Sequence, residues 1–248
     1  MLRAQRPQRR NPARPLLYQG PEAVRTIVYV DGFNLYYRLL KDQPQFKWLN
    51  LCELAKQVLS PKNQIIKVRY FTARVSGRFD PTTPARQQAY LSALSTIPEI
   101  ESHFGNFLVS KTWAGIVHPD LDPAKPNAKP PFLPWPNVVR VHKTEEKGSD
   151  VNLASHLLSD AYNDRFDVAA IITNDTDLVE PIRLVRSEVG KTIGLLTPVP
   201  KPSASLAREA HFCHHITNNH LSNSQFPDFL NLPGGKVVNR PPEWAAAP

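Results

Sequence analysis

The chain has 248 residues, 41% of them apolar, which suffices for one large α/β domain with extensions. No apolar run approaches the roughly 18 residues of a membrane-spanning helix, the N-terminus MLRAQRPQRRNPARP has no apolar stretch of the secretory kind, and two cysteines are too few for a disulfide framework; the expectation is a cytoplasmic protein with reduced thiols. The net charge of +8 sits largely at one end: residues 1–20 carry five arginines and no acid, and without them 25 basic residues face 22 acidic ones, so residues 1–23 read as a basic, disordered tail that either solubilises the chain or holds phosphate backbones without reading sequence.

Beyond the tail, apolar runs alternate with amphipathic ones. Residues 26–30 are β-branched and aromatic and predict a first strand, followed by a helix near 33–40. Residues 51–59 predict a helix with Leu51, Leu54, Ala55 and Val58 on one face. A second strand is expected at 65–75, a helix at 84–94 and a third strand at 107–113. Residues 118–136, HPDLDPAKPNAKPPFLPWP, hold seven prolines, which neither a helix nor a central strand tolerates. They read as an extended insertion bridging an antiparallel pair of strands, with Phe132 and Trp135 either stacking on bases or anchoring the loop. After Ser149, the residues Val151, Leu153, Ala154, Leu157, Leu158 and Ala161 recur at helical spacing. A short, uniformly apolar strand at 168–173, a helix at 178–189, a strand at 192–197 and a last helix at 205–212 complete the domain, and the proline-rich segment beyond Leu221 reads as coil. Short apolar strands separated by helices indicate a parallel sheet covered on both faces, a Rossmann-like layer structure.

The first strand ends in Asp31-Gly32-Phe33-Asn34. In open parallel sheets, ligands bind beyond the carboxyl ends of the strands, where strand order reverses. Asp31 lies at such an end, Asp175 directly follows the strand at 168–173, Asp177 is two residues on, and Asp150 opens the helix of EEKGSDVNLASHLL. Each aspartate could simply cap a helix. Four of them in one crevice would repel one another, and clustered carboxylate oxygens are what a hard divalent cation, Mg²⁺ or Mn²⁺, requires. Gly32 would allow close backbone approach, and Asn34 a neutral oxygen or an amide donor.

The stretches VYVDGFNLYY (28–37), EEKGSDVNLASHLLSDA (145–161) and DVAAIITNDTDLVEPIRLVRSEVGKTIGLL (167–196) resemble the NYN domain family, the LabA-like group of the PIN-like ribonuclease superfamily, over roughly residues 24–215. The resemblance implies a three-layer α/β/α domain with strand order 3-2-1-4-5, spanning 24–217 and followed by an extension, 218–248. It implies metal-dependent cleavage of RNA to 5′-phosphate and 3′-hydroxyl ends. Carried over by position, Asp31, Asp150, Asp175 and Asp177 are the metal carboxylates, with Asn34, Thr173 and Asn174 in support. Many relatives have a further aspartate where this chain has His156, which could bind metal, relay a proton or merely pack beside the sheet. Lys147, Lys143 and Arg74 are candidates for substrate phosphates or for counter-charges to the acids.

Other signals are weaker. HFCHH at 211–215 lacks the second spaced pair of a zinc site. Gly234-Gly235-Lys236 lacks the upstream half of a P-loop, and neither G-x-G-x-x-G after the first strand nor G-x-S-x-G occurs. A haloacid-dehalogenase-like phosphatase would need a second aspartate at the position of Phe33. The alternative from another class is a non-catalytic RNA-binding module on the same fold. The sequence leaves open the RNA target, the number of metals and whether the chain forms a homo-oligomer.

Overall fold

A computed structural model describes residues 23–77, 80–117 and 137–245; the basic tail up to residue 22 and the proline-rich insertion, with Phe132 and Trp135, lie outside them. Strands β1 (Val24–Asp31), β2 (Asn63–Ala73), β3 (Ile100–Gly115), β4 (Val138–Lys147), β5 (Val168–Ile172), β6 (Thr192–Thr197) and β7 (Phe212–His215) form one sheet in the order β4-β3-β2-β1-β5-β6-β7. All neighbours are parallel except β3 and β4, whose ten paired residues form an antiparallel ribbon. The α/β class with a large, mostly parallel sheet is as expected. The order differs from 3-2-1-4-5 because both edges carry a further strand. β4 folds back on the long β3, and HFCHH supplies β7, where the backbone of Phe212–His215 pairs with β6.

Side chains of a strand alternate between faces, and β1 divides the core accordingly. Val28 and Val30 face α2 (Leu51–Val58) and α3 (Thr83–Leu94); Ile27 and Tyr29 face α4 (Ser149–Tyr162), α5 (Val179–Ser187) and α6 (Ala204–Glu209). The expected helix after β1 is split: α1 (Gly32–Leu35) continues as a π-helical turn at Tyr36–Leu40, closed by the Lys41 N–H donating to the Tyr36 carbonyl at 2.7 Å.

The C-terminal segment is not coil. A short helix α7 (Asn218–Ser222) and a hairpin of β8 (Phe229–Asn231) and β9 (Val237–Asn239) cover the α2–α3 face. Leu221, Phe226 and Val238 join that core, Trp48 donates to the Pro227 carbonyl at 2.8 Å, and its fully buried ring packs on Phe226 and Trp244.

On the opposite face, Asp160 of α4 is wholly buried. It accepts hydrogen bonds from Arg69 Nε (2.7 Å) and Nη2 (3.0 Å), from the Tyr29 hydroxyl (2.8 Å) and from Arg165 (2.9 Å). Burial disfavours the Asp160 carboxylate, but the bonds from Arg69 and Tyr29 outweigh it, and its pKa lies below the usual value. This network ties β1, β2 and α4 together beneath the carboxyl ends of the strands. Asp160→Asn leaves the buried Arg69 guanidinium with Glu101, 2.6 Å from its Nη1, as its remaining acidic partner and should cost about 1.5–3 kcal/mol in urea unfolding at pH 7. Because the folded-state pKa is depressed, this contribution is complete above the unfolded pKa and fades as pH falls through the folded one, so the gap between the two proteins should narrow in acid.

Candidate metal centre

β1 pairs in parallel with β5, Val30 opposite Ile172, so the next residues of the two strands, Asp31 and Thr173, emerge side by side. The buried Thr173 hydroxyl donates to Asp31 Oδ2 at 2.9 Å and accepts the Asp175 N–H at 3.0 Å. The Asn34 N–H donates to Asp31 Oδ1 at 2.9 Å, and Asn34 Oδ1 accepts the Asn174 N–H at 3.0 Å. Asn174 Oδ1 in turn accepts the Ser203 N–H at 2.8 Å. Thr173, Asn34 and Asn174 thus form a polar clasp between the two strand ends. Gly32 is obligatory here, since a Cβ on it would lie 2.6 Å from the Phe71 carbonyl oxygen.

The third carboxylate arrives from α4. Gly148, at φ +100°, turns β4 into the helix and sets Asp150 in its first turn. Oxygens of Asp31, Asp150 and Asp175 all lie within 4.8 Å of one another. Burial pushes Asp31 above the ordinary carboxylate range, against the hydrogen bonds from Asn34 and Thr173 and with the charge of Asp175. Asp150 is raised to about 6 by burial and by the charges of Asp31 and Asp175, with Glu146 and Asp177 adding to them. The cap and cluster readings of the sequence hold together: Asp31 caps α1, and Asp175 accepts the Asp177 N–H at 3.0 Å. An all-oxygen anionic donor set, neither thiolate nor imidazole, fits Mg²⁺ or Mn²⁺.

The other predicted residues are placed differently. Asp177 is exposed, outside this triad, and influences Asp150 through charge alone. His156 packs beside the sheet, its ring 4.1 Å from that of His103 and 5.7 Å from Phe71, and burial lowers its pKa. Lys143 and Lys147 flank Glu145 on the side of β4 opposite Thr144 and Glu146, and both pair with it. Lys147 borders a neighbouring depression with Asp150 and Asp177. Arg74 bonds Gln88 and covers the Phe104 ring at 4.4 Å. None of these three cations lines the carboxylate pocket.

Two residues that sequence reasoning missed do line it. The pocket, about 530 Å³, is bounded by Asp31, Asp150, Asp175, Asn34, Thr144 and Phe107, and also by Glu146 and Arg38. Glu146 accepts the Ser149 N–H at 3.0 Å and its hydroxyl at 2.7 Å, which aims a fourth carboxylate at the rim. Its signal lay in EEKGSD, where strand alternation separates Glu146 from Glu145. Arg38 lies within the π-helical turn and makes no ion pair among the described residues.

A model of the NYN domain matches residues 25–217, the span that contains all of these side chains. The chain belongs to the NYN domain family. NYN domains are typically PIN-like nucleases. The chain is also 30% identical over 251 residues to the 6-hydroxy-3-succinoylpyridine 3-monooxygenase HspA of Pseudomonas putida, the alignment covering 92% of this chain and 77% of that protein. The crystal structure of a protein of unknown function from Vibrio parahaemolyticus aligns over 84% of this chain and 99% of its own, with 14% identity and a TM-score of 0.48. Among the described residues, no helix is long and apolar enough to cross a membrane.

The crowded carboxylates of the NYN domain carry a stability consequence. The Asp150 pKa of about 6 lies above its unfolded value, so the folded state binds the extra proton between the two and loses stability as pH rises through that window. Asp150→Asn relieves the repulsion and should raise Tm by a few degrees at pH 7.5 in EDTA, on the order of 1 kcal/mol. The gain should vanish at pH 4.

Proposed function

We propose that this protein is a metal-dependent endoribonuclease, and the observation that carries the reading is the convergence of Asp31, Asp150 and Asp175 at the switch point of an NYN sheet. Asp31, Asp150 and Asp175 would hold Mg²⁺ or Mn²⁺, with Asp177 and Glu146 completing the acidic rim. When bound, the ion lowers the pKa of water and offsets charge developing at phosphorus. The chain's own part is positional. Thr173 and Asn34 fix both oxygens of Asp31, so its lone pairs point at one place before substrate arrives. Arg38, the cation on the pocket wall, is the group we assign to a substrate phosphate, ahead of Lys143 and Arg74; Lys147 borders the adjoining depression. In this reading residues 24–217 are the nuclease unit, 218–248 extend it, the protein is cytoplasmic, and the basic tail adds sequence-independent affinity.

The β3–β4 ribbon supplies a path for the strand. Phe107 and Glu146 are cross-strand partners on the pocket, and alternation puts Val109, Lys111 and Trp113 on the same face, opposite Thr144, His142 and Arg140. Lys111 and Arg140 form no ion pair among the described residues, and Trp113 is 68% exposed. Exposed cations interleaved with an aromatic ring suit a single strand.

The relative named as a monooxygenase of a substituted pyridine suggests a second reading, favoured by one observation: an aromatic-lined groove of about 520 Å³ beside the carboxylates. Under the nuclease reading, the protein given that pyridine and a chemical reductant should take up no oxygen beyond the reductant's own background.

Three outcomes test the proposal. Wild-type protein with Mn²⁺ should cut labelled single-stranded RNA internally, and Asp31→Asn or Asp175→Asn should lower the rate at least a hundredfold and abolish Mn²⁺ binding in isothermal titration. Undiminished Mn²⁺ binding by both variants counts against the site, and binding of RNA without aspartate-dependent cleavage favours a non-catalytic module. Lys111→Ala and Arg140→Ala should each flatten the slope of log K against log salt for RNA by about 0.7, whatever the sequence.

A further inference from the structure

The groove begins one residue from the carboxylates. Gly32, which follows Asp31, forms part of its floor, and Phe33, Tyr37 and Phe107 are shared between groove and carboxylate pocket. Phe33 stacks with Tyr37 at 6.4 Å between ring centres and meets Phe107 edge-on at 5.7 Å, making an aromatic ridge between the two depressions. Beyond the ridge, Tyr36, Tyr70, Tyr90 and Trp244 line the walls. Trp244 is fixed by Tyr90 at 6.2 Å and Trp48 at 6.3 Å, so the wall is preformed. The polar groups at the mouth are few. Arg86 is spent on Asp80 and Glu243, whereas Lys47, its ammonium 5.3 Å from the Tyr36 ring, has no ion pair among the described residues.

We propose that this groove is a nucleobase pocket, taking the base of the nucleotide adjacent to the phosphate held at the carboxylates; the proposal rests on the nuclease reading. A base offers two flat π faces to the aromatic walls and a polar edge to Lys47. A strand lying across the Phe33–Tyr37 ridge carries phosphate on one side and base on the other, which is the division of polarity between the two depressions. A volume of about 520 Å³ lies within the usual range for small-ligand sites. Glu243 and Trp244 lie beyond residues 25–217, so the pocket is built by adding the C-terminal segment to the NYN domain.

The test uses full-length protein with its aspartates intact, fluorescent RNA hexamers and anisotropy, with Ca²⁺ in place of Mg²⁺ so that an oxygen-seeking ion is present while cleavage is suppressed. One hexamer is intact, and a series is abasic at one position each. Tyr36→Ala should weaken binding of the intact hexamer roughly tenfold. One abasic position should cost a similar factor, and that hexamer should lose nothing more on Tyr36→Ala, because both changes remove the same contact. Lys47→Met carries the same comparison if Tyr36→Ala lowers Tm. Equal losses from Tyr36→Ala with intact and every abasic hexamer overturn the pocket, as does tight binding untouched by either variant; both leave the nuclease reading standing. No hexamer binding by folded protein overturns pocket and nuclease reading together. Displacement of the hexamer by a free nucleoside or a free pyridine at the hexamer's own concentration overturns the strand-borne occupant in favour of a small-molecule site.

Discussion

Like charges held at close quarters are the constraint on which the rest of this structure depends. Three carboxylates from β1, α4 and the loop after β5 stand within 4.8 Å of one another, and burial adds to their mutual repulsion. Nothing local to any one of them would keep them there. The parallel pairing of β1 with β5 brings Asp31 and Thr173 level, the Asn34–Asn174 clasp locks the two loops, and Gly148 swings α4 inward. Beneath them the Asp160–Arg69–Tyr29 network fixes α4 against the sheet. The strain at the rim is thus borne by an ordered polar layer and two apolar cores.

Charge outside the rim is sorted by strand alternation. On β4, Glu145 pairs with both Lys143 and Lys147 on one side, while Glu146, His142 and Arg140 occupy the other. The face continuous with the pocket carries Lys111 and Arg140, which form no ion pair among the described residues, and an exposed tryptophan, whereas the two lysines of the opposite face are both held by Glu145. An acidic centre bordered by a basic, aromatic strip is a field that a polyanion can follow inward once the centre itself is neutralised.

Much of this was legible in the residues. The runs at 26–30, 168–173 and 192–197 are apolar but for their terminal threonines because both faces of the sheet are covered, and the four aspartates stand at boundaries that periodicity marks clearly. What could not be read has specific physical causes. β7 is formed by HFCHH, whose backbone bonds to β6 while its side chains are only partly buried, so no apolar pattern marks it. Arg38 lies inside a π-helical turn, whose wider winding takes its residues off any regular α-helical projection. Lys143 and Lys147 were near the site in sequence, but their parity along β4 keeps both off the wall of the carboxylate pocket. His156 occupies a helix position close to the acids in number, yet its ring finds His103 and Phe71. The hairpin of β8 and β9 is made of three-residue strands amid prolines, too short to leave a period.

Trp48 lies about two hundred residues from the segment that closes over it. Its ring is sealed only when Phe226 and Trp244 settle on it and its indole N–H finds the Pro227 carbonyl. The α4–α5 side of the sheet draws on no residue beyond Leu206 in its buried core and can consolidate as soon as that much of the polypeptide exists. The α2–α3 side cannot. During synthesis that flank of the molecule must wait, greasy and uncovered, until residues 216–244 have emerged, and a chain cut short before them would be a half-finished protein already inclined to stick to its neighbours.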